Sequence, residues 1–135
     1  MESSWREIFM FQKILLVVAL LTSFACAQDR VYELRTYTVN EGKLEALKAN
    51  FRDHNIELLK RHGIESIGYW VPKDPEKAKN TLIFMLAHPS MEAAKKNWQE
   101  FLTDPDFKKV AAASGNIVSH VDVVFMDPAD FSPLK

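Results

Sequence analysis

The spacing of apolar and polar positions divides most of the chain into strands and helices. Val31 to Val39 (VYELRTYTV) is rich in β-branched and aromatic residues and reads as a strand. Asn40 is placed to cap a helix that opens with Glu41 near its positive end. Leu44, Leu47, Phe51, Leu58 and Leu59 then recur at three- and four-residue intervals, which puts them on one stripe facing a sheet. Gly63 stops this helix, with His62 in its last turn. Ile64 to Val71 and Thr81 to His88 read as two strands joined by the solvated hairpin loop PKDPEKAKN. Ser90 caps a second helix whose buried stripe is Met91, Ala94, Trp98 and Phe101. Asp104-Pro105 opens a short helix running to Ala113 and ending at Gly115. Asn116 to Met126 is the last strand, and the tail ADFSPLK is irregular.

The order β-α-β-β-α-β predicts an α+β, ferredoxin-like domain: a four-stranded antiparallel sheet with both helices on one face. A sheet wet on its far side would alternate strictly, yet Leu82, Phe84 and Leu86 lie opposite Ile83, Met85 and Ala87 on the third strand. The last strand repeats the pattern, with Ile117, Val121, Val123 and Phe125 opposite Val118, Val124 and Met126. Each large apolar side chain contributes roughly 1.5 to 3 kcal/mol when buried, so a second copy laid sheet to sheet, a homodimer, is expected to cover the far side.

Upstream of the first strand the pattern changes. Ile14 to Leu21 (ILLVVALL) is an unbroken apolar run, preceded by Lys13 and followed by small residues at Ala25 and Ala27, the layout of a secretory signal peptide. The run from Ile14 to Ala27 is shorter than the roughly 17 to 25 residues a membrane-crossing helix needs. Residues 1–27 are therefore expected to be removed, leaving residues 28–135 as one exported domain, periplasmic or extracellular, with no transmembrane segment. Cys26, the single cysteine, would leave with the peptide. A lipid anchor on Cys26 is the competing reading, disfavoured by Phe24 and Ser23 before it. Met10 is an alternative start to Met1, since MFQK makes a compact basic leader.

The 135 residues carry 17 Lys plus Arg against 18 Asp plus Glu, a net charge of −1 that lacks the electrostatic footprint of a nucleic-acid or anionic-membrane binder. Lys73, Lys77 and Lys79 alternate with Asp74 and Glu76, so that loop is a solvated face and not an anion patch. There is no nucleophile elbow, phosphate-cradling glycine loop or dinucleotide fingerprint.

The segments YELRTYTVNEGK, KRHGIESIGYW and MDPADFSPLK together resemble the NIPSNAP family, and the combination of YELR-x-Y with HG before GYW (His62 through Trp70) is specific. The likeness spans nearly all of residues 28–135. It implies a fold similar to the dimeric α+β-barrel superfamily, in which two ferredoxin-like sheets close into a barrel and whose members include small monooxygenases and haem-handling enzymes. It implies no particular reaction.

Candidate chemistry lies on the first and last strands. Glu33, Arg35 and Tyr37 share a face because side chains alternate, as do His120 and Asp122 on the neighbouring last strand. The two sets are expected to converge between the subunits and to bind a small, partly apolar molecule, with Arg35, Tyr37, Trp70 and His120 as walls and Glu33 and Asp122 as a supporting network. A purely structural ion-pair network is the alternative. Trp70 is preferred to Tyr69 because Ser66 and Gly68 on its face leave room. Trp98 reads as core, and His54, between Phe51 and Leu58, as a core histidine. No metal site is expected, because no His pair has ligand spacing and residues 28–135 hold no Cys. No cofactor is expected either, although a haem taking His54, His88 or His120 as axial ligand is compatible with the composition. If the protein is an enzyme, cofactor-free oxygenation or isomerisation with His120 as general base suits the chamber. The rival reading is a non-catalytic interaction module with a close-packed barrel, its outer helices or the Lys73 to Lys79 loop meeting a partner protein.

Overall fold

The computed structural model describes residues 30–135; the expected signal peptide, Cys26 and the alternative start all lie outside the described residues. The chain runs β1 (Val31–Val39), α1 (Leu44–Asn50), a π-helical turn (Phe51–Asn55), α2 (Ile56–Arg61), β2 (Glu65–Trp70), β3 (Thr81–His88), α3 (Met91–Thr103), α4 (Pro105–Ser114) and β4 (Val118–Met126), with a single 3₁₀ turn at Lys77–Lys79. The sheet is antiparallel throughout, in the order β2-β3-β1-β4. This is the ferredoxin-like arrangement, with β4 beside β1 as expected. Among the described residues no helix is long and apolar enough to cross a membrane.

The helix starts follow from their caps. Ser90 Oγ accepts the Ala93 N–H at 3.1 Å, and an Asp104 carboxylate oxygen accepts the Asp106 N–H at 2.7 Å ahead of Pro105. The first helix begins later than its sequence indicates. Asn40 donates through its side chain to the Asn116 carbonyl, and the chain turns through Gly42 at φ +71° before Lys43 takes the cap position. Gly63, at φ +73°, ends α2 as expected.

Between α1 and α2 the helix widens. The Ile56 N–H bonds to the Phe51 carbonyl, an i→i+5 contact, so one turn spans Phe51 to Asn55. Asn55 is thereby carried inward and buried, and His54 is left exposed. The expectation of a core histidine is corrected by this wider turn.

Leu82, Phe84 and Leu86 on β3 pack beneath Leu44, Leu47, Phe51, Leu58 and Leu59, and Phe84 and Leu86 are fully buried. The Phe51, Tyr69 and Tyr37 rings surround the Phe84 ring at centroid distances of 4.9 to 5.5 Å. This is the main core, on the helix side of the sheet. A bulge between Ser66 and Gly68 shifts β2 by one position. Ser66 consequently joins Tyr69 on the helix side, where their hydroxyls meet at 2.7 Å, instead of sharing a face with Trp70.

The opposite side carries Leu34, Ile83, Met85 and Val124, none fully buried and Val124 about half exposed. Trp70 lies there too, its ring folded over Gly68 so closely that a Cβ on the glycine would come within 2.7 Å of it. The helices leave this face uncovered.

Candidate functional site

The site begins with parity. Arg35 pairs with Phe84 on one side and Val123 on the other, so Glu33, Arg35 and Tyr37 point to the helix side. Thr36 pairs with Asp122 and Thr38 with His120, which sends those two side chains to the open side. The expected convergence of Arg35, Tyr37, His120 and Asp122 in one chamber is therefore corrected: the two sets are one position out of phase and the sheet separates them. Trp70, paired with Ile83 opposite Thr36, belongs with His120 and Asp122. His120 Nε2 lies 3.1 Å from Asp122 Oδ1, and both side chains are well exposed.

On the helix side Glu33 is completely buried and fully engaged. One carboxylate oxygen accepts from Trp98 Nε1 and His88 Nε2, each at 2.7 Å, and the other accepts from Arg35 Nε at 2.5 Å. Burial pushes the Glu33 carboxyl upward, but the hydrogen bonds from His88 and Trp98 and the charge of Arg35 outweigh it and hold the group below its ordinary range. Glu33 is thus a carboxylate, and His88 donates to it through Nε2. His88 Nδ1 is buried without a partner.

Arg35 is clamped on two sides. Its Nε is held by Glu33, and its guanidinium lies 3.9 Å from the centre of the Trp98 ring, a contact worth about 0.5 to 2 kcal/mol. Nη1 donates to the Tyr37 hydroxyl at 3.2 Å, which leaves Nη2 and the Tyr37 proton without partners among the described residues.

Those unspent donors border a cavity of about 540 Å³ between the sheet and the helices, within the usual range for small-molecule sites. Leu47, Phe51, Phe101, Phe107, Val110 and Val121 form much of its wall. Asn55 also lines it, and its side-chain oxygen is buried with no hydrogen-bond partner. Asn50 and Ser114, bonded at 2.7 Å, tie α1 to α4 at another part of the wall. Lys95 is exposed and lines the cavity from α3. The arrangement can receive a molecule whose acceptor atoms meet Arg35 and Tyr37, whose hydroxyl or N–H group meets the Asn55 oxygen, and whose remainder is apolar. No histidine is among the lining residues, so the cavity does not offer haem the axial ligand considered from the sequence. Among the described residues no three His, Cys, Asp or Glu side chains gather as a metal-binding group.

Glu33, Arg35 and Tyr37 share a face as their alternation requires, whereas four of the residues around them were not legible as neighbours in the sequence. Trp98 was visible only as core, although its indole N–H needed an acceptor once buried. His88 is in phase with Phe84 on β3, and so on the core side. Asn55 depends on the π turn, and Lys95 on the orientation of α3.

The sheet order and helix placement define an α+β ferredoxin-like protein. The cofactor-independent oxygenase SnoaB of Streptomyces nogalater shares this fold, with TM-score 0.52, 15% identity and coverage of 78% of this chain and 98% of that one. A NIPSNAP family profile matches residues 32–133, and the chain belongs to the NIPSNAP family. Among solved structures, a NIPSNAP family protein of unknown function from Agrobacterium tumefaciens is similar at TM-score 0.71 and 25% identity, covering 80% of this chain and 96% of that one. A NIPSNAP-like domain protein from Burkholderia xenovorans matches at TM-score 0.69 and 15% identity, covering 78% and 90% respectively. No curated protein matches the chain.

Proposed function

We propose that this NIPSNAP protein binds a small, partly apolar molecule in the cavity between its sheet and its helices, and that it does so as an exported homodimer. The observation that carries the binding reading is the set of unsatisfied polar groups on the wall of a largely apolar chamber. Arg35 is fixed by a buried carboxylate and an indole, yet keeps donors free at the cavity wall, and the Asn55 oxygen is buried there unpaired. An unpaired buried polar atom costs about 1 to 3 kcal/mol, a cost a ligand would remove. Export is supported by the ILLVVALL run and the Ala25-Cys26-Ala27 pattern. Dimerisation is supported by the open sheet face, where Leu34, Ile83, Met85, Trp70 and Val124 lack cover from the chain's own helices. In that assembly Trp70, His120 and Asp122 lie between the sheets and not at the cavity.

Native mass spectrometry of protein purified from its own host tests this reading. The expected result is a dimer carrying a small adduct that denaturation releases and that Val110→Trp, which projects an indole into the cavity, excludes. A bare species in both proteins would contradict it. The interaction-module reading expects that bare species together with a captured protein partner. A cofactor-free oxygenase or isomerase using His120 expects turnover that His120→Ala abolishes and Val110→Trp spares, because His120 and the cavity are on opposite sides of the sheet.

A further inference from the structure

The charges around the cavity narrow the class of molecule it would take. Its charged lining residues are Arg35 and Lys95, and no Asp or Glu lines it. Lys95 has no ion-pair or hydrogen-bond partner among the described residues, unlike Lys48, Lys79 and Lys96, each of which reaches a glutamate on its own helix or turn. Glu33 offsets one positive charge from behind the wall and is already saturated by three donors. One cation's worth of charge, that of Lys95, therefore remains uncompensated at the chamber, whose wall also carries the free Nη2 of Arg35 and the free proton of Tyr37.

Resting on the reading of this cavity as a ligand site, we infer that the ligand is an amphipathic monocarboxylic acid, its carboxylate seated on Arg35 and Tyr37 and its apolar body running between Phe51, Phe101 and Val110. A carboxylate suits this pair because its two oxygens match one guanidinium edge and one hydroxyl. A phosphate would bring three oxygens and up to two charges against the single uncompensated positive charge here, and no phosphate-cradling loop is among the lining residues. The unpaired Asn55 oxygen on the same wall is a contact for a hydroxyl donor carried on the body of the acid. Lys95, near solvent, attracts the acid toward the chamber and adds less to the bound state, since exposed charges are screened.

Decanoate and 1-decanol, equal in chain length and different in head group, separate this inference from the reading beneath it. Calorimetric titration of the full mature chain is expected to show decanoate binding at least about tenfold more tightly than decanol, the scale of a charge-assisted hydrogen bond. Arg35→Gln should remove most of that preference while leaving decanol binding nearly unchanged. Lys95→Gln, an exposed substitution that spares the fold, should reduce the preference by about two- to threefold, and Val110→Trp should abolish binding of both probes. Equal affinity for the two probes, with both lost in Val110→Trp, overturns the acid and leaves the cavity site standing. Preference for decanoate that survives Val110→Trp places the acid elsewhere and overturns the inference. Binding of neither probe overturns the inference and the cavity reading together.

Discussion

The two faces of the sheet are built from the same strands and treat their polar residues in opposite ways. On the helix side Glu33 is wholly buried, and three donors hold its charge. On the open side Asp122 has one imidazole partner and is mostly solvated. Two apolar residues show the extremes: Phe84 on β3 is fully buried under the first helix, while Val124 on the edge strand β4 is about half exposed. A charged group on the helix side is therefore an element of the core, with its geometry fixed by neighbours. One on the open side is free to adapt to whatever covers that face.

The largest expected contrast is between Phe84→Ala and Val124→Ala. The first should cost about 3 to 5 kcal/mol in urea unfolding, because it leaves a cavity among Phe51, Tyr37 and Tyr69. The second should cost under about 1 kcal/mol in the isolated chain. Glu33→Gln comes next, at about 3 kcal/mol or more, since an amide NH₂ would face donors where a carboxylate accepts. Asp122→Asn should change stability by no more than about 0.5 kcal/mol. Comparable losses for Glu33→Gln and Asp122→Asn would erase the distinction between the faces.

Acid titration sharpens the same contrast. The Glu33 carboxyl titrates below its ordinary value in the folded chain, so its contribution is complete above about pH 4.5 and is lost as pH falls through the lowered folded value. Asp104 is shifted in the same direction by its hydrogen bond from His62, and adds to the same acid limb. Urea midpoints followed down from neutral pH should fall in wild type below that point, and the fall should be shallower in Glu33→Gln. A parallel fall in both proteins would show that Glu33 is not the group responsible. The smallest expected effect is that of His120→Ala on binding at the cavity: no measurable change in the affinity of a cavity ligand, because the sheet lies between them.

Much of this architecture could be read from the chain. β1 and β3 were delimited to the residue, and the Ser90 and Asp104 caps act as their side chains require. The strand order also followed from the element order. The errors share a physical origin. Alternation tells which residues of one strand point together, but not how two strands are phased, and a one-position offset puts His120 across the sheet from Arg35. The bulge near Ile67 and the π turn at Phe51–Asn55 are local insertions with no compositional signature, and each moved a residue to a different face. Trp98 was legible as buried and illegible as a hydrogen-bond donor, since its acceptor is 65 residues away in the chain.

The indole N–H signals of Trp98 and Trp70 report the two faces in one nitrogen-15 NMR spectrum, each assigned by its own Trp→Phe variant. Titrated with decanoate, the Trp98 indole and the Arg35 Nε–H should shift in a saturable way while the Trp70 indole stays in place. Movement of the Trp70 indole with Trp98 and Arg35 unmoved would put the ligand on the open face and contradict a cavity site beneath the helices.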